Sequence, residues 1–93
     1  MILLLDIGNT NTHAGLANQS RVVRNCTFPT NNWSGQRAKN LLKKFLSSAT
    51  LDGAIFCSVV PKANARVQQV LKSAWKSTPL QLTSRTVRGL RFD

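Results

Sequence analysis

The chain opens on an apolar run whose only polar member is Asp6. Residues 1–7 do not alternate, and this pattern is typical of a strand that is buried on both faces in the middle of a sheet. Residues 11–17 indicate a second, weaker strand, and the alternation of RVVRNCTF predicts a third strand over 21–28. Short polar turns separate these segments, so we expect them to form an antiparallel meander.

Two amphipathic helices are predicted in the middle of the chain. Apolar residues recur at helical spacing over 34–49, with lysines on the opposite face, and a second apolar stripe runs over 62–77. The run GAIFCSVV predicts a buried strand over 53–60, and LQLT at 80–83 predicts a short last strand, whereas 84–93 has no clear period. The predicted order is β-β-β-α-β-α-β, an α/β chain with helices packed on a mixed sheet.

The length of the chain limits the number of domains that it can form. Its 93 residues, 42% of them hydrophobic, are enough for one core and leave no room for a second domain. No apolar run reaches the roughly 18 residues that a membrane-spanning helix needs. The opening MILLL is also too short for a signal peptide and meets Asp6 at once. We therefore expect a cytoplasmic protein.

The chain is strongly basic, with 13 Lys and Arg against three acids and a net charge of +10. Such a chain attracts polyanions, whether nucleic acids, nucleotides or anionic surfaces. The cations are dispersed, however, and no alternation of aromatic and basic residues indicates a surface for stacking bases. Three explanations stay open: a generally basic surface, a nucleic-acid-binding module, or a longer protein whose acids lie elsewhere.

The cysteines and the histidine exclude several classes of site. Cys26 and Cys57 are not at metal-ligand spacing, and in a cytosolic chain we expect them to be reduced, half-buried thiols. His13 is the only histidine, so we expect no Ser-His-Asp or Cys-His catalytic arrangement, and two cysteines with His13 do not make a zinc site. Neither class is expected here.

The stretch LLLDIGNTNT, residues 3–12, carries the candidate chemistry. A carboxylate at the end of a buried strand is costly unless it faces water, a hydrogen-bond network or a cation. Gly8 permits a tight turn with φ above zero and a close approach of the backbone to a ligand. Amide and hydroxyl side chains follow at Asn9, Thr10, Asn11 and Thr12. An acid beside an anion-binding turn suits a magnesium nucleotide; the alternative is a plain hairpin turn.

The motif DIGNTNT after an amino-terminal apolar strand resembles the first phosphate motif of the acetate and sugar kinase, heat-shock 70 and actin superfamily. Within that superfamily the chain is most similar to type III pantothenate kinase, the Bvg accessory factor family. Three further segments agree in order and spacing: AGLAN with its polar turn, GAIFCSVVP, and VRGLRFD. The resemblance covers essentially the whole chain.

This resemblance implies a ribonuclease H-like fold over residues 1–93, one half of an actin-type kinase. The implied activity is transfer of the ATP γ-phosphate to pantothenate in coenzyme A synthesis, with Mg²⁺ and a monovalent cation (K⁺ or NH₄⁺), in a homodimer. The implied metal-organising residue is Asp6. The implied cofactor-binding residues are Asp6, Ile7, Gly8, Asn9, Thr10, Asn11, Thr12 and His13, although His13 can equally be an ordinary surface histidine of a strand. By the same resemblance, residues 58–60 shape the cleft.

The chain departs from the family pattern at its end. Members of the family are longer, and beyond the position of Asp93 they carry a Gly-x-Asp-Arg motif that supplies the catalytic base and a substrate-binding arginine. We therefore expect no catalytic residue within these 93 residues. A second domain is also expected to be missing, and phosphoryl transfer needs charge neutralisation from both sides of the cleft. The chain alone is thus predicted to be inactive.

A two-metal nuclease is the first alternative. It needs several carboxylates around two metal ions that lie about 4 Å apart, and the chain offers only Asp6, Asp52 and Asp93. If strands one and four run parallel, Asp6 and Asp52 lie roughly 15–20 Å apart. A non-enzymatic nucleic-acid binder or transcriptional regulator of the same fold is the main alternative, and it predicts salt-dependent DNA binding. A third possibility is a dimerisation module that uses the two helices, whose stripes otherwise form the core.

Overall fold

A computed structural model describes residues 1–75 and 80–82. It confirms the predicted order of elements and adds a short 3₁₀ segment before the first helix. The bounds are β1 Ile2–Ile7, β2 Asn11–Ala17, β3 Val22–Pro29, the 3₁₀ segment Thr30–Ser34, α1 Arg37–Leu46, β4 Gly53–Ser58, α2 Pro61–Trp75 and β5 Leu80–Leu82. Residues 84–93, for which the sequence predicts no element, lie outside the described residues, as do residues 76–77 of the predicted second helix and residue 83 of the predicted last strand.

The first helix is shorter at both ends than the sequence predicts. Residues 30–34 form a 3₁₀ turn of their own, so α1 begins at Arg37 and not at 34. At the other end Ser47 takes a φ of 52°, and its N–H donates to the carbonyl of Lys43. A left-handed residue in this position ends a helix, which is why the apolar spacing that continues to Ala49 is not helical.

The five strands form one mixed sheet in the order β3-β2-β1-β4-β5. Strands β1 to β3 are an antiparallel meander, as the sequence predicts, while β4 runs parallel to β1 and β5 parallel to β4. The β1–β4 register pairs Ile2 with Gly53 and Ile7 with Ser58. Because the two strands are parallel, their carboxyl ends meet at one edge of the sheet, where the β1–β2 turn also lies.

The core lies on one face of this sheet. Leu3, Leu5 and Ile7 are fully buried there, in one cluster with apolar side chains of both helices. The helix residues of that cluster are Ala38, Leu42, Leu46, Val67, Val70 and Leu71. Both predicted stripes therefore serve the core of this domain.

The opposite face of β1 differs from the prediction. Ile2, Leu4 and Asp6 are only partly buried, so the expectation that β1 is buried on both faces is wrong for the described residues. The reason is that α1 and α2 both contribute to the cluster on the Leu3 side. In the described part of the chain, no helix is long and apolar enough to cross a membrane.

Candidate functional site

Four side chains form a row across the sheet on the face away from the core. Asp6 on β1 pairs in register with Cys57 on β4 and with His13 on β2, and His13 pairs with Thr27 on β3. The Nδ1 of His13 lies 3.0 Å from the Oγ1 of Thr27. This row, which we name the Asp6 row, lies close to the edge where β1 and β4 end.

An open cleft of about 500 Å³ runs along the Asp6 row. Polar and apolar residues both line it, and they come from β1 to β3: Asp6, His13, Asn25 and Thr27, together with Leu4, Ala14, Gly15, Val22 and Cys26. Asp6 is half-buried, and the one ion pair among the described residues joins the amino terminus to Asp52, at 2.6 Å. The carboxylate of Asp6 is therefore directed at an opening and is not neutralised by a cation of the described chain.

Cys57 is the nearest polar neighbour of that carboxylate, and sequence reasoning missed it. Its Sγ lies 3.5 Å from Oδ1 of Asp6 and 3.5 Å from the carbonyl oxygen of Leu5. Burial, and then the negative charge of Asp6 and its hydrogen bond, raise the pKa of Cys57 to about 11. The thiol therefore stays protonated near neutral pH and donates to Asp6. Asp6 and Cys57 are each the fifth residue of their strand, and for two parallel strands paired from their first residues this spacing would have predicted the contact.

The raised pKa of Cys57 predicts how stability depends on alkaline pH. The unfolded thiol loses its proton near pH 9.0, whereas the folded thiol keeps it until about pH 11. The free energy of unfolding should therefore fall as pH rises through this window, with a share of roughly 1–3 kcal/mol from Cys57. Urea denaturation of wild type and Cys57→Ala at intervals across that window measures this share as the difference between the two pH slopes.

Only the difference between variants is informative, because it isolates the contribution of one thiol. Cys26→Ala is the matched control, because burial raises the pKa of that half-buried thiol as well, but no acid contributes. Its slope should remain closer to that of wild type. Equal slopes for wild type and Cys57→Ala would contradict the assignment.

The β1–β2 turn, residues 8–11, lies beside the Asp6 row. The N–H of Gly8 donates to the carbonyl of Asn11 at 2.9 Å and closes the hairpin. The expected positive φ at Gly8 is not found. Glycine is favoured for another reason, since a Cβ there would lie 3.1 Å from that same carbonyl oxygen, a tight contact. The side chains of Asn9, Thr10 and Asn11 are exposed at the turn.

Two of the predicted cofactor-binding residues, Ile7 and Thr12, have fully buried side chains. The Oγ1 of Thr12 lies 3.0 Å from Oγ1 of Thr30 and accepts from Nε1 of Trp33 at 3.0 Å. The interpretation that Thr12 offers its hydroxyl to a ligand is therefore corrected: the hydroxyl is used inside the protein. Ile7 contributes its side chain to the core, and only its backbone lies at the edge.

Thr30 connects the 3₁₀ segment to the turn. Its hydroxyl donates to the carbonyl of Gly8 at 2.7 Å, and its N–H donates to the carbonyl of Thr10 at 2.8 Å. Sequence reasoning missed Thr30, because residues 29–35 have the composition of an ordinary loop. The turn is thus held from the core side by one residue that lies about twenty positions further along the chain.

The second described acid lies far from this site. Asp52 precedes β4 and binds the amino terminus, at the edge where β1 begins. The parallel pairing confirms that Asp6 and Asp52 lie at opposite edges of the sheet. Within residues 1–75 and 80–82, no group of three His, Cys, Asp or Glu side chains could hold a metal ion. This arrangement argues against a two-metal nuclease; Asp93 lies outside the described residues.

Residues 58–60 lie at the same edge as the turn. The N–H of Val59 donates to the carbonyl of Ile7 at 3.1 Å, and the N–H of Val60 donates to Oγ of Ser58 at 2.9 Å. Val59 is 53% exposed. These contacts bring the end of β4 next to the turn, and a role of this segment in shaping a ligand cleft stays a prediction.

Comparison with known proteins adds a family and a fold to this geometry. The sequence profile of the type III pantothenate kinase family matches residues 2–93, and a comparison with curated proteins found no match. A candidate N-acetylglucosamine kinase from Porphyromonas gingivalis is similar in structure, with a TM-score of 0.69 and 14% identity over 89% of this chain and 34% of its own. The PPX-GPPA enzyme of Aquifex aeolicus is similar with a TM-score of 0.50 and 9% identity, over 88% of this chain and 35% of its own.

These likenesses confirm the predicted fold class, an α/β ribonuclease H-like domain of the actin-like type with a mixed sheet. The identities are low, so the two structures establish the fold alone. The chain spans only about a third of the length of either structure.

Proposed function

Because the chain belongs to the type III pantothenate kinase family, we propose that residues 1–93 are the amino-terminal, phosphate-binding half of a kinase that transfers the γ-phosphate of ATP to pantothenate. The observation that supports this proposal is the placement of Asp6. Its carboxylate is half-buried, faces an open cleft and lies beside the β1–β2 turn. A carboxylate in that setting can hold a cation, whereas a structural acid would be paired.

The residues at this edge fit a magnesium nucleotide. Mg²⁺ keeps most of its water and is usually bound by one or two carboxylates together with phosphate oxygens. A single acid, Asp6, with the thiol of Cys57 hydrogen-bonded to it, matches that requirement. When bound, Mg²⁺ neutralises charge on the phosphates and orients them for transfer. The residues that would bind K⁺ or NH₄⁺ are not identified by the geometry, and the monovalent cation remains implied by the family alone.

The chain contributes binding and orientation to the proposed reaction. Asp6 would hold the magnesium ion through water, and the turn, with the exposed side chains of Asn9, Thr10 and Asn11, would contact the phosphate oxygens. A side chain at Gly8 would crowd the carbonyl of Asn11 and so disturb the turn. His13 lines the same cleft and would close its β2 side. The buried hydroxyl of Thr12 would support the turn through Thr30 and would not contact the ligand.

The chemical step needs groups that the described residues do not supply. The pantothenate hydroxyl must give its proton to a base, and neither described carboxylate is proposed for that role. Asp6 is assigned to the cation, and Asp52 lies at the far edge of the sheet. The base is proposed to come from outside residues 1–93, together with the second domain and the partner of a homodimer. The chain alone should therefore bind ATP without phosphorylating pantothenate. A cytoplasmic location is part of the same proposal.

The proposal is tested by calorimetry and by a turnover assay on this chain. We expect ATP binding that requires Mg²⁺ and competition by ADP, with no ATP- and pantothenate-dependent release of ADP. Absence of magnesium-dependent ATP binding in the folded chain would contradict the proposed phosphate site. Turnover by the isolated chain would instead contradict its assignment as one half of the enzyme.

A nucleic-acid-binding role is the second candidate, and the net charge of +10 favours it. Several of the cations, including Arg37, Lys43 and Lys44 on α1, are exposed. A protein that neutralises several phosphates loses DNA affinity steeply with salt. Titration of labelled duplex DNA at increasing salt separates the candidates, since no binding at low salt would remove this one.

A further inference from the structure

A chain of hydrogen bonds links the 3₁₀ segment to the β1–β2 turn, and proton counting gives its direction. A threonine hydroxyl has one proton to donate and can accept twice. Thr30 donates its proton to the carbonyl of Gly8, so in its contact with Thr12 it must accept. Thr12 is then the donor to Thr30 and itself accepts from the indole N–H of Trp33. The donors, in order, are Trp33, Thr12 and Thr30, and the Gly8 carbonyl is the final acceptor.

This relay, named here by its four members Trp33, Thr12, Thr30 and Gly8, is shielded from water. Trp33 is 2% exposed, Thr12 is fully buried and Thr30 is 7% exposed. Consecutive hydrogen bonds in a low-dielectric interior polarise and strengthen one another. A buried hydroxyl that lost its partner would also carry the cost of an unsatisfied polar group. The relay therefore has one strongly preferred arrangement.

Thr30 sets the orientation of two peptide groups in the turn. Its hydroxyl binds the Gly8 carbonyl and its N–H binds the Thr10 carbonyl, so both carbonyls are directed at Thr30. In a planar trans peptide the N–H points away from the carbonyl of the same unit. The N–H groups of Asn9 and Asn11 are consequently turned away from Thr30.

The other end of the relay is fixed to α2. Nε of Arg66 donates to the carbonyl of Trp33 at 2.8 Å, and one terminal nitrogen donates to the carbonyl of Gly35 at 2.8 Å. A guanidinium that holds two carbonyls is a rigid fork. The turn is therefore coupled, through the 3₁₀ segment, to a helix of the core.

We infer that Thr30 is a positioning residue, which presets the β1–β2 turn with the carbonyls of Gly8 and Thr10 withdrawn and the N–H of Asn9 presented to phosphate oxygens. This inference rests on the proposed phosphate-binding role of the turn. A preset turn binds an anion without reorganising. Each carbonyl that points away from the phosphate also removes the repulsion between its negatively polarised oxygen and the anion.

The test compares Thr30→Val, which keeps the shape and removes the hydroxyl, with Thr30→Ser, which keeps the hydroxyl. ATP affinity is measured by calorimetry in excess Mg²⁺, at a temperature where urea titration shows each variant to be folded. We expect the ATP affinity of Thr30→Val to fall about tenfold, because the preset turn loses one hydrogen bond. The ATP affinity of Thr30→Ser should stay within about twofold of wild type. Thr50→Val, at an exposed loop position, is the control and should bind as wild type does.

An NMR readout separates this inference from the proposed function. In Thr30→Val the amide resonances of Asn9 and Asn11 and the indole N–H of Trp33 should shift, while Thr30→Ser restores them. If the wild-type chain fails to bind ATP but these shifts appear, the proposed function fails and the positioning role stands. Unchanged resonances, or wild-type ATP affinity in a folded Thr30→Val, would overturn the positioning role. Should Thr30→Val not fold, Trp33→Phe interrupts the relay from its other end and must weaken ATP binding as well.

Discussion

Replacement of Asp6 by asparagine is expected to abolish the magnesium-dependent part of ATP binding while the chain remains folded. Asparagine has the same shape but lacks the charge that a divalent cation requires. The side chain is half-buried and has no cationic partner among the described residues, so its neutralisation should cost little stability. We expect ATP affinity in the presence of Mg²⁺ to fall at least about tenfold, to the value measured with a chelator. Calorimetric titration with and without Mg²⁺ measures the difference.

Asp52→Asn is the matched control for this result. Asp52 is the other described acid, it is exposed at the far edge of the sheet, and its ion pair with the amino terminus lies at the surface. Its replacement should leave magnesium-dependent ATP binding unchanged. A second consequence concerns Cys57, because the charge of Asp6 contributes to its raised pKa. That pKa should be lower in Asp6→Asn than in wild type. Equal magnesium-dependent affinity in both asparagine variants would refute the role of Asp6.

Replacement of Trp33 by alanine is expected to cause the largest loss of stability, about 3–5 kcal/mol in the free energy of unfolding. Trp33 is 2% exposed and packs against Phe28 with ring centroids 5.6 Å apart. Its removal leaves a cavity between the 3₁₀ segment and the sheet, and the hydroxyl of Thr12 loses its donor. Urea denaturation followed by far-ultraviolet circular dichroism measures the change, since that signal does not depend on the indole.

Two further variants divide this loss into its parts. Trp33→Phe keeps an aromatic ring against Phe28 and removes the N–H, so we expect a loss of about 1–2 kcal/mol. Leu41→Ala changes a large apolar residue that is 41% exposed on α1, and its cost should stay near 0.5 kcal/mol, roughly the level of surface substitutions. If Trp33→Ala were no more destabilising than Leu41→Ala, the 3₁₀ segment would not be part of the core.

The strands and helices could be predicted because their patterns are local. Alternation in β3 and helical spacing in α1 and α2 each arise within one element, and the order of elements then limits the fold to an α/β sheet. The motif around Asp6 could be found for the same reason, since the acid and the turn are adjacent in the chain. The parallel pairing of β1 and β4 was expected only from the family resemblance, and the register confirms it.

The support of the site could not be predicted, because it is made by contacts between distant segments. Thr30 reaches Gly8 across 22 positions, and Cys57 reaches Asp6 across 51. No periodicity encodes such pairs. The composition of residues 29–35 indicates only a loop, although Trp33 within it is buried as deeply as the core strands. The side-chain role of Thr12 was misassigned for the same reason: its partners lie in that segment.

The position of the open face illustrates a third limit of the sequence. An apolar run without alternation predicts burial on both sides, and Leu3, Leu5 and Ile7 confirm one side. Leu4 and Asp6 on the other side line the cleft. Hydropathy alone does not distinguish the two faces of β1, because Ile2 and Leu4 on the open face are as apolar as Leu3 and Leu5 on the face covered by helices.

The central claim is that the edge formed by Asp6 and the β1–β2 turn binds the phosphates of a magnesium nucleotide. NMR titration of the chain with ATP in the presence and absence of Mg²⁺ tests it most directly. We predict magnesium-dependent shifts of backbone amides over residues 6–11, with Met1 and Asp52 at the opposite edge unaffected. Shifts confined to the basic surface of α1, or the same shifts with and without Mg²⁺, would contradict the claim.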